Sequence, residues 1–250
     1  MQPARSTEAI GPWDEMALRK MEEWDPEWAE SCMKMSSNPW KNGVLSRKLI
    51  ELICIGLNAA GANLNADGIQ RHIRAALDAG ATRAEILFII RCATVMAVHS
   101  CHAWTSEVLK QAVRPEMDQL NDANLERLKK AGGLTSAVDK LKTVGHWKPE
   151  WERMFILDPI WADEFISTAL FIYSNEILSG KDVELLNIAL NASFTHINSS
   201  DVQGHIMTAC KAGATIFEIT DVLKLCVAQG VATCNLAVPI LAEEMTKQGK

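Results

Sequence analysis

The sequence HIRAALDAGATRAEI, residues 72–86, returns 133 positions later as HIMTACKAGATIFEI, residues 205–219. The same offset holds on both sides of this stretch without a gap, so that, for example, Glu51 returns as Glu184. Matches of this density indicate an internal duplication, and a repeat has to be recognised before any fold is considered. We therefore interpret the chain as two copies of one unit.

A thinner match carries both copies further towards the N-terminus, where Asp25-Pro26 returns as Asp158-Pro159. Each copy then covers about a hundred residues, which is enough to bury a modest core. The predicted organisation is a disordered tail at residues 1–12, a first repeat at 13–112, a helical connector at 113–145 and a second repeat at 146–250.

The composition is that of a soluble globular protein, with 22% charged residues and a net charge of -6. This charge argues against nucleic-acid binding, which needs clustered Lys and Arg.

The seven cysteines are odd in number and show no C-x-x-C spacing, which favours reduced, mostly buried thiols. The apolar run near residues 86–98 contains Arg91 and is too short to span a bilayer. We therefore predict a cytoplasmic protein that binds no membrane.

Helix signals recur along both copies, and sustained strand-like alternation does not. Gly80 is predicted to end one helix, and the capping box Thr82 to Glu85 to begin the next. The second copy repeats this arrangement with Gly213 and the box at 215–218. Apolar positions from Trp13 to about Ser36 predict a helical N-terminal segment as well. The predicted fold class is all-α.

A histidine lies on an apolar helix face in both copies. Ile69, His72 and Ala76 fall on one stripe of the predicted helix, and His205 takes the matching place in the second copy. Such a residue can be a core histidine that is hydrogen-bonded to a helix end. It can also be an acid–base group at the floor of a pocket, with its proton affinity tuned by burial. The pattern alone leaves both interpretations open.

The run H-I-R-A-A-L-D-A-G-A-T at 72–82, with Glu85-Ile86 after it, resembles the carboxymuconolactone decarboxylase family. The stretches at 45–48 and 51–59 are also similar to that family, which belongs to the alkylhydroperoxidase-D-like superfamily. The resemblance implies a tandem duplication of an alkylhydroperoxidase-D-like helical domain. It further implies a homo-oligomer with pockets near its subunit contacts.

The peroxidase branch of that superfamily carries a C-x-x-C motif ahead of the histidine. Counting back from His72, those cysteines would fall at Asn65 and Gly68, and in the second copy at Asn198 and Asp201. Peroxide reduction by that route needs a reactive thiolate and a second, resolving thiol. Thiol peroxidase activity is therefore disfavoured, and the sequence is similar to the decarboxylase branch instead.

The resemblance implies a cofactor-free lyase, or a related isomerase, that acts on a small unsaturated or lactone carboxylic acid. Loss of carbon dioxide needs an oxyanion donor and a general acid. We expect His72 to be the acid and Glu51 to orient it. Arg47 and Arg74 are candidates to bind the substrate carboxylate, as is Lys48, although cations at solvated helix ends are common.

His99 and His102 lie close together after the first helix pair, but the second copy matches neither. We expect no metal, and assign them instead to the lining of the first pocket as substrate-binding candidates. In the second copy Gly180 replaces Arg47, which favours the first repeat as the working site, with His205 retained as a catalytic candidate.

Two fused copies would stand in for two subunits of a single-copy protein, so a trimer is the first expectation for the assembly. The alternative from another functional class is a non-catalytic helical oligomer that binds a small hydrophobic ligand or a protein partner. The eight tryptophans suit an interface or a core equally well.

Overall fold

The computed structural model describes residues 5–143, 145, 147–173 and 176–249, without the side chains of residues 102, 103, 149 and 199. Every regular element among these residues is a helix, so the all-α prediction is confirmed. The helices are α1 Thr7–Ile10, α2 Glu15–Trp24, α3 Pro26–Ser36, α4 Asn38–Lys41, α5 Arg47–Ala59, α6 Ala66–Asp78, α7 Arg83–Val95, α8 His99–Gln111, α9 Arg114–Ala131, α10 Ala137–Thr143, α11 Pro149–Leu157, α12 Pro159–Leu170, α13 Gly180–Ala192, α14 Ser199–Lys211, α15 Ile216–Ala228 and α16 Val231–Lys247.

The offset of 133 positions relates the helices as it relates the residues. Helices α5, α6 and α7 are each 13 residues long, and α13, α14 and α15 have the same length and begin 133 positions later. Even Leu64 (46°) and Ile197 (41°), which are the non-glycine residues with positive φ in the described part of the chain, are related by this offset. The duplicated sequence therefore encodes matching helix boundaries and matching turns.

The predicted caps set these boundaries. The Thr82 amide donates to Glu85 Oε2 over 2.6 Å, and the Glu85 amide donates back to Thr82 Oγ1 over 3.2 Å. Ahead of this box, Gly80 has a φ of 85°, a left-handed conformation that glycine adopts without strain. The helical segment predicted from Trp13 to Ser36 is interrupted at Asp25, whose carboxylate caps α3 while Pro26 occupies its first turn.

The chain forms two compact units, and the first combines the residues up to Ala93 with those from Ile177 onwards. Its centre is the contact of α5 with α13, one helix from each predicted repeat. A Cβ atom at Gly56 would lie 3.2 Å from both Ile89 and Leu186, so glycine lets these two helices approach closely. At one end of this unit, α16 packs against α2 through a cluster that contains Trp13 and Val231.

The second unit comprises Thr94–Glu176. Its core joins α8 to α11 and contains the buried residues Val98, Trp151 and Ile166. The connector helices α9 and α10 both pack against α12. Both units therefore mix helices of the two predicted repeats: the last helix of each repeat packs against an N-terminal helix of the other. The repeat boundaries themselves stay a prediction from the sequence.

The prediction of a disordered tail is wrong for residues 5–12; residues 1–4 lie outside the described part of the chain. Residues Thr7–Ile10 form α1, and Ile10 and Trp13 are buried at 3% and 0% exposure. The Arg5 side chain donates to Glu15 and Glu22 of α2. Ile10 alone in a polar segment gave too weak a periodic signal, but in the fold it joins the cluster that contains Trp13 and Val231.

The helical stretch that contains the apolar run at residues 86–98 is longer than that run, and so is its counterpart in the second repeat. A 3-10 helix at Met96–Val98 joins α7 to α8, and a short turn joins α15 to α16. The resulting stretches Arg83–Gln111 and Ile216–Lys247 meet the length and composition of a membrane span, so the prediction of a run too short for a bilayer is wrong. Core helices of globular proteins meet the same criterion, and here Phe88, Ile89, Val222 and Leu225 are buried in the first unit. The expectation of no membrane partner stays a prediction.

Two helical glycines provide a test of the packing around α5 and α6. A Cβ atom at Gly68 would lie 2.2 Å from Asn58 Oδ1, whereas at Gly204 of α14 it would meet nothing within 4 Å. We expect Gly68→Ala to lower the free energy of unfolding by about 1–3 kcal/mol through overpacking. Gly204→Ala should raise it by about 0.5–1 kcal/mol, as in other exposed helix interiors. Urea unfolding of both variants measures the difference, and equal midpoints would show that Asn58 is not confined as described.

Candidate active site

The site is built around the carboxylate of Glu51, which has no exposed surface. Ser46 caps α5 by accepting from the Leu49 amide, and this start places Glu51 on the side of the helix that faces the core. Its Oε1 accepts hydrogen bonds from Trp40 Nε1 at 2.8 Å and from Thr7 Oγ1 at 3.1 Å. With His72 of α6, four helices of the first unit therefore meet at one carboxylate: α1, α4, α5 and α6.

His72 completes the carboxylate's shell from α6. Its Nδ1 lies 2.6 Å from Glu51 Oε2, and its ring stacks on Trp40 with 6.3 Å between the ring centroids. An N–H at Nδ1 that donates to a carboxylate leaves Nε2 as the nitrogen that can exchange a proton. The predicted orientation of His72 by Glu51 is therefore present in the geometry. The catalytic role of both residues stays a prediction.

Arg47 lies one turn before Glu51 on α5, with its Nε 2.7 Å from Glu51 Oε1. Its Nη2 donates to the Thr7 hydroxyl. Its Nη1 and Nε are both buried without a hydrogen-bond partner among the described residues, although Nε faces Glu51 in the ion pair just given. An unmet buried donor is costly, and since Nε already lies against a carboxylate, Nη1 is the donor for which the described residues supply no acceptor.

The hydrogen bonds and charges around Glu51 favour the ionised form of its carboxyl group. Burial raises the pKa of the Glu51 carboxyl, but the hydrogen bond and charge of His72, the Trp40 indole and the Arg47 guanidinium together outweigh it, and the net pKa is lowered. A carboxylate without exposed surface thus stays charged because four side chains surround it.

A cavity of about 670 Å³ adjoins this group. Arg47 contributes to its wall, as do Arg71, Arg74 and the residues of α1. His72 does not line it and is 1% exposed, so the expectation of an imidazole at the floor of an open pocket is wrong for this state. The N-terminal segment, predicted above to be disordered, instead forms part of the cavity wall. Its Thr7 lies on the Glu51 carboxylate.

Sequence reasoning missed three side chains of this site. Trp40 could have been found, because the offset of 133 places Tyr173, another aromatic residue, at its counterpart. Thr7 gave no signal in the sequence. Arg71 precedes His72, and burial lowers the pKa of its guanidinium although Asp14 and Asp67 raise it. Arg71 also donates to the Pro12 carbonyl, which ties the N-terminal segment to α6.

The second repeat keeps the central pair. His205 Nδ1 lies 2.7 Å from Glu184 Oε2, which matches the first repeat within 0.1 Å. The arginine is replaced by Gly180, and a Cβ atom there would meet nothing within 4 Å. The next residue, Lys48, pairs with Glu85, and Lys181 pairs with Glu218 at the matching positions of the second repeat. A structural ion pair at the end of the helix therefore explains this lysine in both copies.

The remaining predicted residues fall elsewhere. Arg74 lines the cavity. His99 begins α8 in the second unit, and the side chain of His102 lies outside the described residues, so their substrate-binding role stays a prediction.

Among described residues, no three of His, Cys, Asp and Glu gather as a metal site would require. Burial raises the pKa of the Cys92 and Cys226 thiols to about 12, which is opposite to the reactive thiolate of a peroxidase.

Comparison with known proteins bears on the first repeat. Residues 26–105 match the model of the carboxymuconolactone decarboxylase family. They span Trp40, Arg47, Glu51 and His72. Over this stretch the chain is similar to the carboxymuconolactone decarboxylase family. The match ends within α8, so the connector and the second repeat lie outside it.

The fold similarity reaches beyond residues 26–105. The chain is similar to the crystal structure of a candidate gamma-carboxymuconolactone decarboxylase subunit from Burkholderia xenovorans LB400. The TM-score is 0.78 at 24% sequence identity, over 97% of this chain and 95% of that one. At this identity the likeness shows a shared fold. No curated protein matches the chain.

The buried carboxylate predicts a pH-dependent stability. Because the pKa of Glu51 is lower in the folded chain than in the unfolded chain, its ionised form stabilises the fold above the usual carboxyl range. This contribution is lost as the pH falls through the folded pKa. We expect Glu51→Gln to cost about 1–3 kcal/mol at pH 7, because Arg47 and His72 lose their charged acceptor. The difference should shrink below about pH 4.

Denaturant unfolding at pH 7 and at pH 3.5 measures this effect, with Glu8→Gln as the matched control. Glu8 lines the same cavity but is exposed, so its substitution should change stability little at either pH. A cost of Glu51→Gln that stays constant with pH would contradict an ionised, partnered carboxylate.

Proposed function

We propose that the chain is a cofactor-free lyase of the decarboxylase type, or a related isomerase, acting on a small unsaturated or lactone carboxylic acid. The observation that carries the proposal is the Glu51–His72 pair with Arg47 beside it, at the edge of a cavity of about 670 Å³. The family of residues 26–105 supports the reaction class. Substrate and mechanism are our proposal.

Each group in the pair has a chemical task in such a reaction. As the bond between the ring and the carboxylate carbon breaks, carbon dioxide leaves and its electron pair delocalises onto the ring carbonyl. Arg47 stabilises the resulting oxyanion through its N–H groups. His72 delivers a proton from Nε2 to ring carbon, and solvent returns the proton to the imidazole. Glu51 stays ionised and holds the ring in place through Nδ1.

The cavity can reach this imidazole if the N-terminal segment moves. Ala75 and Ala79 follow His72 on the same face of α6, and both line the cavity. His72 therefore lies next to the cavity wall, with Thr7 between the Glu51 carboxylate and the open space. A substrate that contacts Ala75 in the cavity wall would therefore lie close to His72, the proposed proton donor, which is one turn earlier on α6.

A second candidate function is the non-catalytic helical oligomer that binds a hydrophobic ligand or a partner protein. The low exposure of His72 favours it, because a buried imidazole held by a carboxylate also serves as a core hydrogen bond. The two candidates differ in what they predict for turnover and for histidine substitution.

Carbon dioxide release from a panel of unsaturated lactone acids and ring carboxylates tests the lyase proposal. On a turned-over substrate, His72→Gln should lower kcat/KM by about 100-fold or more, the usual contribution of a general acid. His205→Gln is the matched control in the second repeat and should leave most of the activity. Equal losses in both variants would contradict the first repeat as the working site. If the folded protein turns over no compound, the binding function is favoured.

We also propose a cytoplasmic homo-oligomer, with a trimer as the first expectation. Support comes from large apolar side chains at the surface of α15 and α16, among them Phe217 at 71% and Leu236 at 69% exposure. Sedimentation equilibrium should give a mass near three times the 27.6 kDa of the chain. Phe217→Glu should shift the mass towards that of the single chain, whereas Glu8→Gln should not. A wild-type mass of one chain would overturn the expectation.

A further inference from the structure

The hydroxyl of Thr7 occupies a position with an unusual requirement. It accepts a hydrogen bond from Arg47 Nη2 and donates one to Glu51 Oε1, so it bridges a guanidinium and a carboxylate. An oxygen in this place has to accept and donate at once. A carboxylate or carbonyl oxygen only accepts, and it would face the lone pairs of Glu51. A hydroxyl or enol oxygen satisfies both neighbours.

The next donor of Arg47 has no acceptor. Nη1 is buried without a hydrogen-bond partner among the described residues, and it projects from the same guanidinium as the Nη2 that holds Thr7. A planar guanidinium presents its N–H groups as a fork that suits two neighbouring oxygens. The Thr7 hydroxyl accepts from Nη2, and Nη1 has no acceptor among the described residues.

The segment that carries Thr7 is held by side chains and has little helix of its own. Helix α1 is a single turn, which is unstable in isolation. Its N-terminal end is fixed by Arg5, which donates to Glu15 over 3.0 Å and to Glu22 over 2.9 Å. Its C-terminal end is anchored by the buried Ile10 and by Gly11, whose φ of 60° turns the chain against Ser37. Residues 5–9, here named the cover, can therefore detach without disturbing the anchor.

We propose that the place of the Thr7 hydroxyl is a ligand-oxygen site, and that the cover is displaced when a ligand binds. The ligand is a carboxylic acid that bears a neighbouring hydroxyl or enol oxygen. Its hydroxyl bridges Arg47 Nη2 and Glu51, and its carboxylate accepts from Nη1. This inference rests on the proposed function, because it names the substrate class of the same site.

Chemical labelling of histidine tests the cover without any turnover. Diethyl pyrocarbonate modifies the free nitrogen of an accessible imidazole, and mass spectrometry gives the rates for His72 and His205 in one molecule. With Arg5→Ala and Thr7→Ala together, His72 should be labelled at least about threefold faster than in the wild type, because the contacts that hold the cover are lost. His205, which α1 does not cover, should keep its rate and serve as the internal control.

Arg19→Ala is the matched control for the Arg5 contact. Arg19 also pairs with Glu15, at 2.6 Å, but it lies within α2 and does not hold the cover. Its substitution should leave the His72 rate as in the wild type. If His72 is labelled equally fast in the Arg19 variant and in the Arg5/Thr7 variant, or equally slowly in all, residues 5–9 are not a displaceable cover.

Calorimetric titration with 2-hydroxybenzoate and benzoate tests the ligand class, since the two probes differ by one hydroxyl. In Thr7→Ala, where the bridging place is vacated, we expect 2-hydroxybenzoate to bind about threefold to tenfold more tightly than benzoate. Thr7→Ser, which keeps the hydroxyl, should lose most of this preference. Adding Arg47→Met to Thr7→Ala should abolish it.

The outcomes separate this inference from the proposed function. Equal affinities for both probes in Thr7→Ala would overturn the hydroxyl site, whatever the enzyme assays show. A clear preference together with no carbon dioxide release from any substrate would support the site and reject the lyase. Circular dichroism of each variant shows that these comparisons concern folded protein.

Discussion

The structure depends on keeping one carboxylate ionised with no exposed surface. Removing a charge from water is costly, so Glu51 can remain charged only if donors surround it. The donors come from different segments: Thr7 from α1, Trp40 from α4, Arg47 from the same helix and His72 from α6. Because a missing donor would leave a buried charge unmet, this residue constrains how four parts of the first unit pack. The same requirement gives His72 a fixed orientation.

The two repeats show which part of this arrangement the fold itself needs. The carboxylate–imidazole pair and the lysine–glutamate pair return with distances that agree within 0.2 Å. The cation beside the carboxylate does not return, because Gly180 stands where the first repeat has Arg47. A feature kept in both copies fits a role in folding as well as in chemistry. Arg47, with its unmet Nη1, is therefore the difference between the two sites on which the proposed binding role of the first site rests.

The sequence predicted the local structure well because local interactions decide it. The capping boxes and the glycine at φ 85° involve residues close in sequence. The exchange of terminal helices between the repeats could not be predicted this way. In the duplicated sequence α16 is equally suited to a helix of its own repeat or of the other, and tertiary packing decides between them.

The N-terminal segment shows a second limit of sequence reasoning. Residues 1–12 read as a polar tail, because only Ile10 is a large apolar residue between Gln2 and Pro12. Its order comes instead from partners that lie far along the chain: Glu15 and Glu22 for Arg5, Glu51 for Thr7, and α6 for Pro12.

The contacts of this segment have a consequence for the chemistry of the site. The Glu51 carboxylate is stabilised in part by the Thr7 hydroxyl, so a ligand that displaces Thr7 has to restore the lost hydrogen bond. A ligand that cannot donate there leaves the carboxylate short of a donor and weakens the hold on His72. The requirement that keeps Glu51 charged in the resting fold thus also selects, by the same hydrogen bond, which molecule can replace the cover.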